Sequence, residues 1–387
     1  MLGAIVRGDK TESVNVRIAL FLLAGLLSTL VQAAPLEIAR FDRNHWPEQL
    51  DSPALFDVAS RAEILSFARV LRESEALSQA ELSARLQLRQ VDMVTVNALR
   101  QRLWQRLWRN YDLAQQSCEQ DASFCYALDN LYDLRQQAAK FSVSADSFYA
   151  GWDAPSRQFH EQYLNEQLRK AALFTQTSSE VERFSDEERD GETLNDRLFL
   201  LSFDGGPGPA TQAMTDYLRR QKLGGLFFVV GKSVQARRDQ TSTAALQALY
   251  AGQCVGVQGW QYSSHAQWTD WQDSIIRSRA LVQSLLGEQA VPLFRPPYGQ
   301  RRADSAAFFA SQQLQVMLWN IDAQDNSSLD AEQAAHRALS LMLLWRRGVI
   351  QLHDSTPKAQ AAVAWLLQHT AQSGIGWANC REFAQAQ

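Results

Sequence analysis

Five segments in the second half of the chain end or follow an apolar run with polar groups suited to acid–base or metal chemistry. Asp204 closes the first, in Ser202-Phe203-Asp204-Gly205-Gly206-Pro207. Gln258, Gln261 and His265 follow residues 253–257, and Arg295-Pro296-Pro297-Tyr298-Gly299 follows 292–294. Asp322 and Asp325 follow 315–319, and His353-Asp354 follows 348–352. A carboxylate and a histidine brought together can divide the two proton transfers of a hydrolysis between them. A lone aspartate at a strand end is more often a loop cap, and a lone histidine more often packing. Five such segments in register call for a shared site.

The elements that must position these groups follow from the pattern between them. Apolar runs at 198–203, 226–230, 253–257, 292–294, 315–319 and 348–352 alternate with helical stretches such as 210–222 and 273–286. That alternation predicts an α/β fold, a mainly parallel sheet with helices packed outside it. In such folds chemistry collects at the carboxyl ends of the strands, where the five segments sit.

These segments, in order, resemble the motifs of the NodB homology domain, the polysaccharide deacetylases of carbohydrate esterase family four. The family's T-F-D-D-G-P is similar to residues 202–207, and its T-F-F-V-x-G to Leu226–Gly231. Its R-x-P-Y-G matches Arg295–Gly299, its D-x-x-D-W is similar to Asp322–Asn326, and its I-x-L-x-H to Ile350–His353 with the last spacing shortened by one. The resemblance implies a distorted (β/α) barrel over 198–387. It implies hydrolysis of acetyl groups, N-acetyl foremost, from an N-acetylated polysaccharide or peptidoglycan. Asp204 would be the base, His353 the acid, Arg295 the group that tunes the base, and Asp322 or Asp325 the group that holds Arg295. The Tyr298 N–H would stabilise the oxyanion. Tyr298, Pro297, Trp260 and Trp268 are the candidate substrate contacts.

The resemblance also implies a zinc or other divalent ion that polarises the acetyl carbonyl, and here the sequence departs. The family's ligands are the second Asp of the first motif and two His spaced H-x-x-x-H. Gly205 stands at the first of these positions. Aligned from upstream, Gln258 and Tyr262 stand at the other two; aligned from downstream, Gln261 and His265 do. His265 is then the one surviving ligand, and glutamine is a poor zinc ligand. Three arrangements are open: a rebuilt site in which Asp204 or His353 joins His265, one drawing on Asp354 or Asp270, or no metal at all. An acetyl hydrolase, a catalytically inactive glycan-binding domain and an envelope-assembly factor are the corresponding functions.

The rest of the chain sets the context. Ile18–Val31 is an apolar run behind Arg17, with Val31-Gln32-Ala33 preceding a cleavage point, so residues 1–34 are expected to be a signal peptide, with 1–13 a misassigned start. A periplasmic or secreted protein follows, with a retained membrane anchor as the alternative. Residues 35–175 are expected to be a mainly α-helical domain. Ser52-Pro53 and the Ser78–Glu81 capping box open two of its helices. Leu99, Leu103, Leu107 and Tyr111 mark an amphipathic third with an arginine-rich face. Further helices are expected around 122–140 and 156–175. That face is solvated or meets a partner, an anionic glycan or an envelope protein. Residues 176–197 have the acidic, polar composition of a linker. Cys118 and Cys125 can bond if residues 119–123 turn; Cys254 and Cys380 are a further pair, though four cysteines allow three pairings. With a net charge of −4 and pI ≈ 5.9, general nucleic-acid binding is not expected.

Overall fold

The computed structural model describes residues 37–173, 177–178, 183–185 and 188–385. The expected signal segment lies outside the described residues.

The N-terminal region is helical: α1 (Pro53–Glu75), α2 (Gln79–Leu86), α3 (Met93–Ala114), α4 (Leu131–Lys140) and α5 (Ala150–Leu173). Ser52 caps α1 by accepting the Leu55 N–H, and the Ser78/Glu81 capping box opens α2. The helix expected from 122 begins at Leu131 instead. A Cys118–Cys125 disulfide closes a loop there, and the loop is pinned by Arg61, which donates to the carbonyls of Asp121 and Ser123. A guanidinium that satisfies carbonyls of the turn competes with helix formation in the segment.

A short antiparallel pair, β1 (Thr177–Ser178) with β6 (Arg301–Arg302), is separate from the main sheet. The main strands are β2 (Leu198–Gly206), β3 (Leu226–Val229), β4 (Cys254–Val257), β5 (Ala290–Phe294), β7 (Gln315–Val316), β8 (Ile321–Asp322), β9 (Gly348–His353) and β10 (Gly376–Trp377). Their order is β7-β5-β4-β3-β2-β9-β8, with β10 beside the start of β2, and all pairings are parallel. Intervening helices are α6 (Thr211–Arg220), α7 (Gly231–Gln240), α8 (Thr243–Leu249), α9 (Trp271–Leu286), α10 (Ala306–Ser311), α11 (Ala331–Trp345), α12 (Lys358–His369) and α13 (Cys380–Gln385). This is the parallel sheet with outer helices expected from the alternation, curled into the (β/α) barrel that the resemblance implies. β7 and β8 end the strand path without pairing to each other, which leaves the barrel open at one seam.

Strand alternation sorts the side chains into two layers. Phe199, Leu201, Phe203, Phe227, Val255, Val257 and Ile350 join the core shared with the helices. Leu200, Leu226, Phe228, Leu293, Met317 and Val349 form a separate cluster inside the barrel. One or two steps further along the same strands, the inward positions turn polar: Ser202 and Asp204, Gln258, Arg295, Gln351 and His353. A Cys254–Cys380 disulfide ties β4 to α13.

The helical region packs on the barrel through α11, whose residues from Ala334 to Trp345 are all buried. A helix buried on every side is apolar around its whole circumference, and its few polar groups are paired. Arg337 reaches Glu166 of α5 with two hydrogen bonds, Trp345 Nε1 donates to the Tyr163 hydroxyl, and Arg346 pairs with Asp57 of α1. The acidic stretch expected as a linker packs against this body where it is described. Glu188 accepts from Arg301 and from the Phe184 N–H, and Asp190 is buried.

Candidate active site

Asp204, near the end of β2, and His353, the last residue of β9, are register partners on adjacent parallel strands. Asp204 is 1% exposed. Its Oδ1 accepts from Arg295 Nη1 at 2.8 Å and its Oδ2 from Gln351 Nε2 at 2.6 Å. Arg295, fully buried on β5's exit, also donates to the Ser202 hydroxyl and to the carbonyls of Met317 and Leu318, and lies over Phe228 and Trp319. Burial disfavours its cation and Asp204 counters that.

Neither Asp322 nor Asp325 holds Arg295; Asp204, Ser202 and two carbonyls satisfy it. Asp325 serves His353. Its Oδ2 accepts the His353 N–H and its Oδ1 lies 2.9 Å from Nδ1. Burial alone would lower the imidazole's pKa. The Asp325 carboxylate, with Asp204 and Asp322 beyond it, reverses this and holds it at about 9. The imidazolium is thereby the favoured form at neutral pH, and it requires the Asn326 carboxamide, 3.1 Å from Nε2, to present its Oδ1 rather than its NH2 to the Nε2–H. Asp322 turns back on Gln324, accepting from its N–H and its side-chain amide.

The metal positions resolve in favour of the upstream alignment. Gln258, fully buried, points into the barrel and accepts the Gly205 N–H on Oε1 at 2.8 Å, while its Nε2 has no partner among the described residues. Tyr262 packs edge-on against Tyr298 at 5.0 Å, its hydroxyl in reach of the Tyr298 N–H. Burial, with Asp204 and Tyr298 nearby, pushes its ionisation well above the ordinary phenol range. These residues do not fit a divalent ion. Gly205 has no donor atom, the Gln258 carbonyl is already engaged, and the phenol resists becoming a phenolate. Among the described residues no group of three His, Cys, Asp or Glu is placed to hold a metal.

His265 takes no part. It packs edge-on against Phe294, an outward residue of β5, and against Trp268, and meets the Ser274 hydroxyl of α9 at 3.1 Å. This places it behind the sheet wall, on the opposite side from Asp204. Burial drops its pKa to about 4, so it stays neutral. Gly259 admits it: at φ +89° a side chain there would strike the imidazole. Gln261 makes no side-chain bond to the cluster, and Asp270 stands at the start of α9. Asp354 faces away from His353 and accepts from the Thr211 hydroxyl at 2.6 Å; burial pushes its carboxyl up to about 7, against that hydroxyl.

Of the expected substrate contacts, Tyr298 is 54% exposed beside the site, in a left-handed turn at φ 60°. Pro297 is buried beneath it. Trp260 is stacked under Arg277 at 3.6 Å and Trp268 lies against His265, so both are engaged by the protein itself. Sequence reasoning missed Gln351 and Ser202. Each is a polar residue in an otherwise apolar strand, two positions before His353 or Asp204, and that spacing is a readable signal for the same inward face.

Residues 191–317 match the family model described as Polysaccharide deacetylase, a span that ends before Asp322, Asp325 and His353. The bifunctional xylanase/xylan deacetylase of Cellvibrio japonicus is 27% identical over 179 residues, 45% of this chain and 26% of that protein. The peptidoglycan-N-acetylmuramic acid deacetylase of Bacillus subtilis is 27% identical over 134 residues, 34% of this chain and 27% of that protein. The chain thus spans little more than a quarter of each of these relatives. Among solved structures, a peptidoglycan N-acetylglucosamine deacetylase superposes with a TM-score of 0.46 at 17% identity, covering 52% of this chain and 94% of that one. On the family model, the segment from 191 to 317 is similar to the polysaccharide deacetylase family.

Proposed function

We propose that the chain removes acetyl groups, N-acetyl foremost, from an envelope or extracellular polysaccharide, with Asp204 as base and His353 as acid. The carrying observation is the pair of buried ion pairs, Arg295–Asp204 and Asp325–His353, on neighbouring strand ends. Buried ion pairs are weak contributors to stability, because desolvation offsets most of their attraction. Two of them converging on one barrel mouth are better explained by proton transfer. Water attacks the acetyl carbon as Asp204 takes its proton. The C–N bond then breaks as His353 Nε2 gives its proton to the nitrogen, leaving acetate and a free amine. The acetyl oxygen would displace the Tyr262 hydroxyl at the Tyr298 N–H. No step is assigned to a metal. Two disulfides and the apolar segment 18–31 support a compartment outside the cytoplasm.

A second reading, glycan held without turnover, is favoured by one observation: Asp204 is 1% exposed with both oxygens engaged. Acetate release and binding measured on the same N-acetylglucosamine oligomers and peptidoglycan separate the two. Acetate released by wild type and lost in Asp204→Asn supports hydrolysis. Saturable binding with no acetate overturns hydrolysis and leaves the second reading.

A further inference from the structure

Gln258 is the first residue after β4, one step past the outward-facing Val257, so its side chain turns into the barrel. In the sheet, β3 lies between β4 and β2. The side chain therefore crosses the end of β3 to bring Oε1 within 2.8 Å of the Gly205 backbone nitrogen. That contact sets the orientation of the amide. A backbone N–H needs an acceptor, so the carbonyl end faces Gly205 and the NH2 end is turned away from it. Gln258 is 0% exposed, and its Nε2 has no partner among the described residues. A buried donor left without an acceptor costs free energy that an incoming oxygen would recover.

The donor stands where the reaction needs one. Gly205, which holds the amide, directly follows the base Asp204. At Gly205 (φ +87°) the direction that a side chain would take meets no atom within 4 Å, which leaves room for a small group beside the amide. Tyr298 follows the neighbouring strand, β5, and has its backbone N–H at the same mouth. The Tyr262 hydroxyl lies in reach of that N–H and close enough to Asp204 to feel its charge.

We propose that Gln258 is a catalytic residue: once Tyr262 is displaced, its Nε2–H and the Tyr298 N–H together hold the acetyl oxygen as it becomes an oxyanion. The proposal rests on the hydrolysis reading above and supplies the electrophile which that reading lacks. Water adds to the acetyl carbon and gives its proton to Asp204. The π pair of the C=O bond moves to the oxygen, which the two donors hold. When that pair re-forms the C=O bond, the C–N bond breaks and the nitrogen takes its proton from His353. A residue at a ligand position of the family's ion thus takes over the ion's task of stabilising charge on the acetyl oxygen, with fixed dipoles in place of a cation.

The test uses chitotetraose and an analogue in which one N-acetyl group is replaced by N-methylphosphonyl, whose tetrahedral P–O⁻ mimics the oxyanion. Chelator is present throughout, so that no variant acts through an added ion. Wild type is expected to bind the analogue at least about tenfold tighter than chitotetraose in titration calorimetry. Gln258→Glu keeps an acceptor for the Gly205 N–H and removes the donor, whereas Gln258→Met removes both without adding charge. If either variant fails to fold, the other decides. Both should bind chitotetraose within about twofold of wild type, lose the preference for the analogue, and release acetate with kcat lowered about 10²–10³-fold and KM little changed. Acetate release unchanged in the variants, a preference for the analogue that survives them, or a wild type without that preference overturns the inference and leaves the hydrolysis reading standing. No acetate from wild type overturns both.

Discussion

Asp325→Asn is the sharpest perturbation of the proton chemistry. Asp325 is fully buried and accepts two bonds from His353, at 2.9 Å each. It is the main reason that the imidazole has a pKa of about 9 in spite of burial. That is a rise of roughly 2.5 from the ordinary histidine value, or about 3 kcal/mol favouring the cation. In wild type at pH 7 the imidazolium exceeds the neutral form by about 100 to 1. Asparagine keeps the shape and an acceptor but no charge, so burial is left nearly unopposed and the pKa should fall below the usual 6.5. Resolving the six histidines by ¹⁵N-edited NMR titration reads this directly. The linkage follows with its sign. The folded pKa lies above the unfolded one, so wild type has this stabilisation in full below about pH 6.5 and loses it as pH rises through 9. Asp325→Asn should lack that alkaline loss and should lower the rate of acetate release at pH 7 by about 10²–10⁴-fold. If His353 titrates near 6.5 in wild type, or keeps its pKa in the variant, the assignment of a cationic acid is wrong.

Other outcomes test the supporting structure. Glu166→Gln removes the charge that faces Arg337 inside the seam between α5 and α11. Urea unfolding should show a loss of about 3–5 kcal/mol, the cost of leaving one buried charge unpaired. Asp354 has a folded pKa of about 7, above the unfolded carboxylate, so wild type should lose stability as pH rises from about 4 to 7. Asp354→Asn should flatten that slope and gain stability at pH 8, with about 4 kcal/mol as the ceiling. A Cys254→Ala/Cys380→Ala double variant, opening a link across 126 residues, should lose about 2–4 kcal/mol in chemical denaturation.

The parallel sheet and its five polar strand ends were legible because both rest on local alternation, which the sequence displays directly, whereas its curling into a barrel was implied by the family resemblance alone. β8 was not, since a two-residue strand carries no periodic signal. His265 shows the limit of motif spacing. Its neighbours resemble a metal-binding segment, but the side of the sheet on which it falls depends on the route of the chain after Val257. The left-handed turn at Gly259 sends it behind β5. Gln258, one step past an outward-facing valine, had the inward position by parity alone. The pairing of Asp325 with His353, in place of Arg295, depends on the register of β8 beside β9, which spacing does not reveal. The docking of the helical region was partly visible: Ala338–Trp345 has too few polar residues for a helix with one wet face. Its partners, Glu166 and Asp57, were not, because they lie more than 150 residues away in the chain.

The central claim is that acetyl hydrolysis here runs on Asp204 and His353 at a site unable to hold the family's metal. Acetate release from N-acetylated peptidoglycan, measured on protein exhaustively treated with chelator and again after zinc is added back, tests it most directly. The account predicts acetate release that survives the chelator, does not rise with zinc and disappears in Asp204→Asn. Release that is abolished by the chelator and restored by stoichiometric zinc, or no release under either condition, would contradict it.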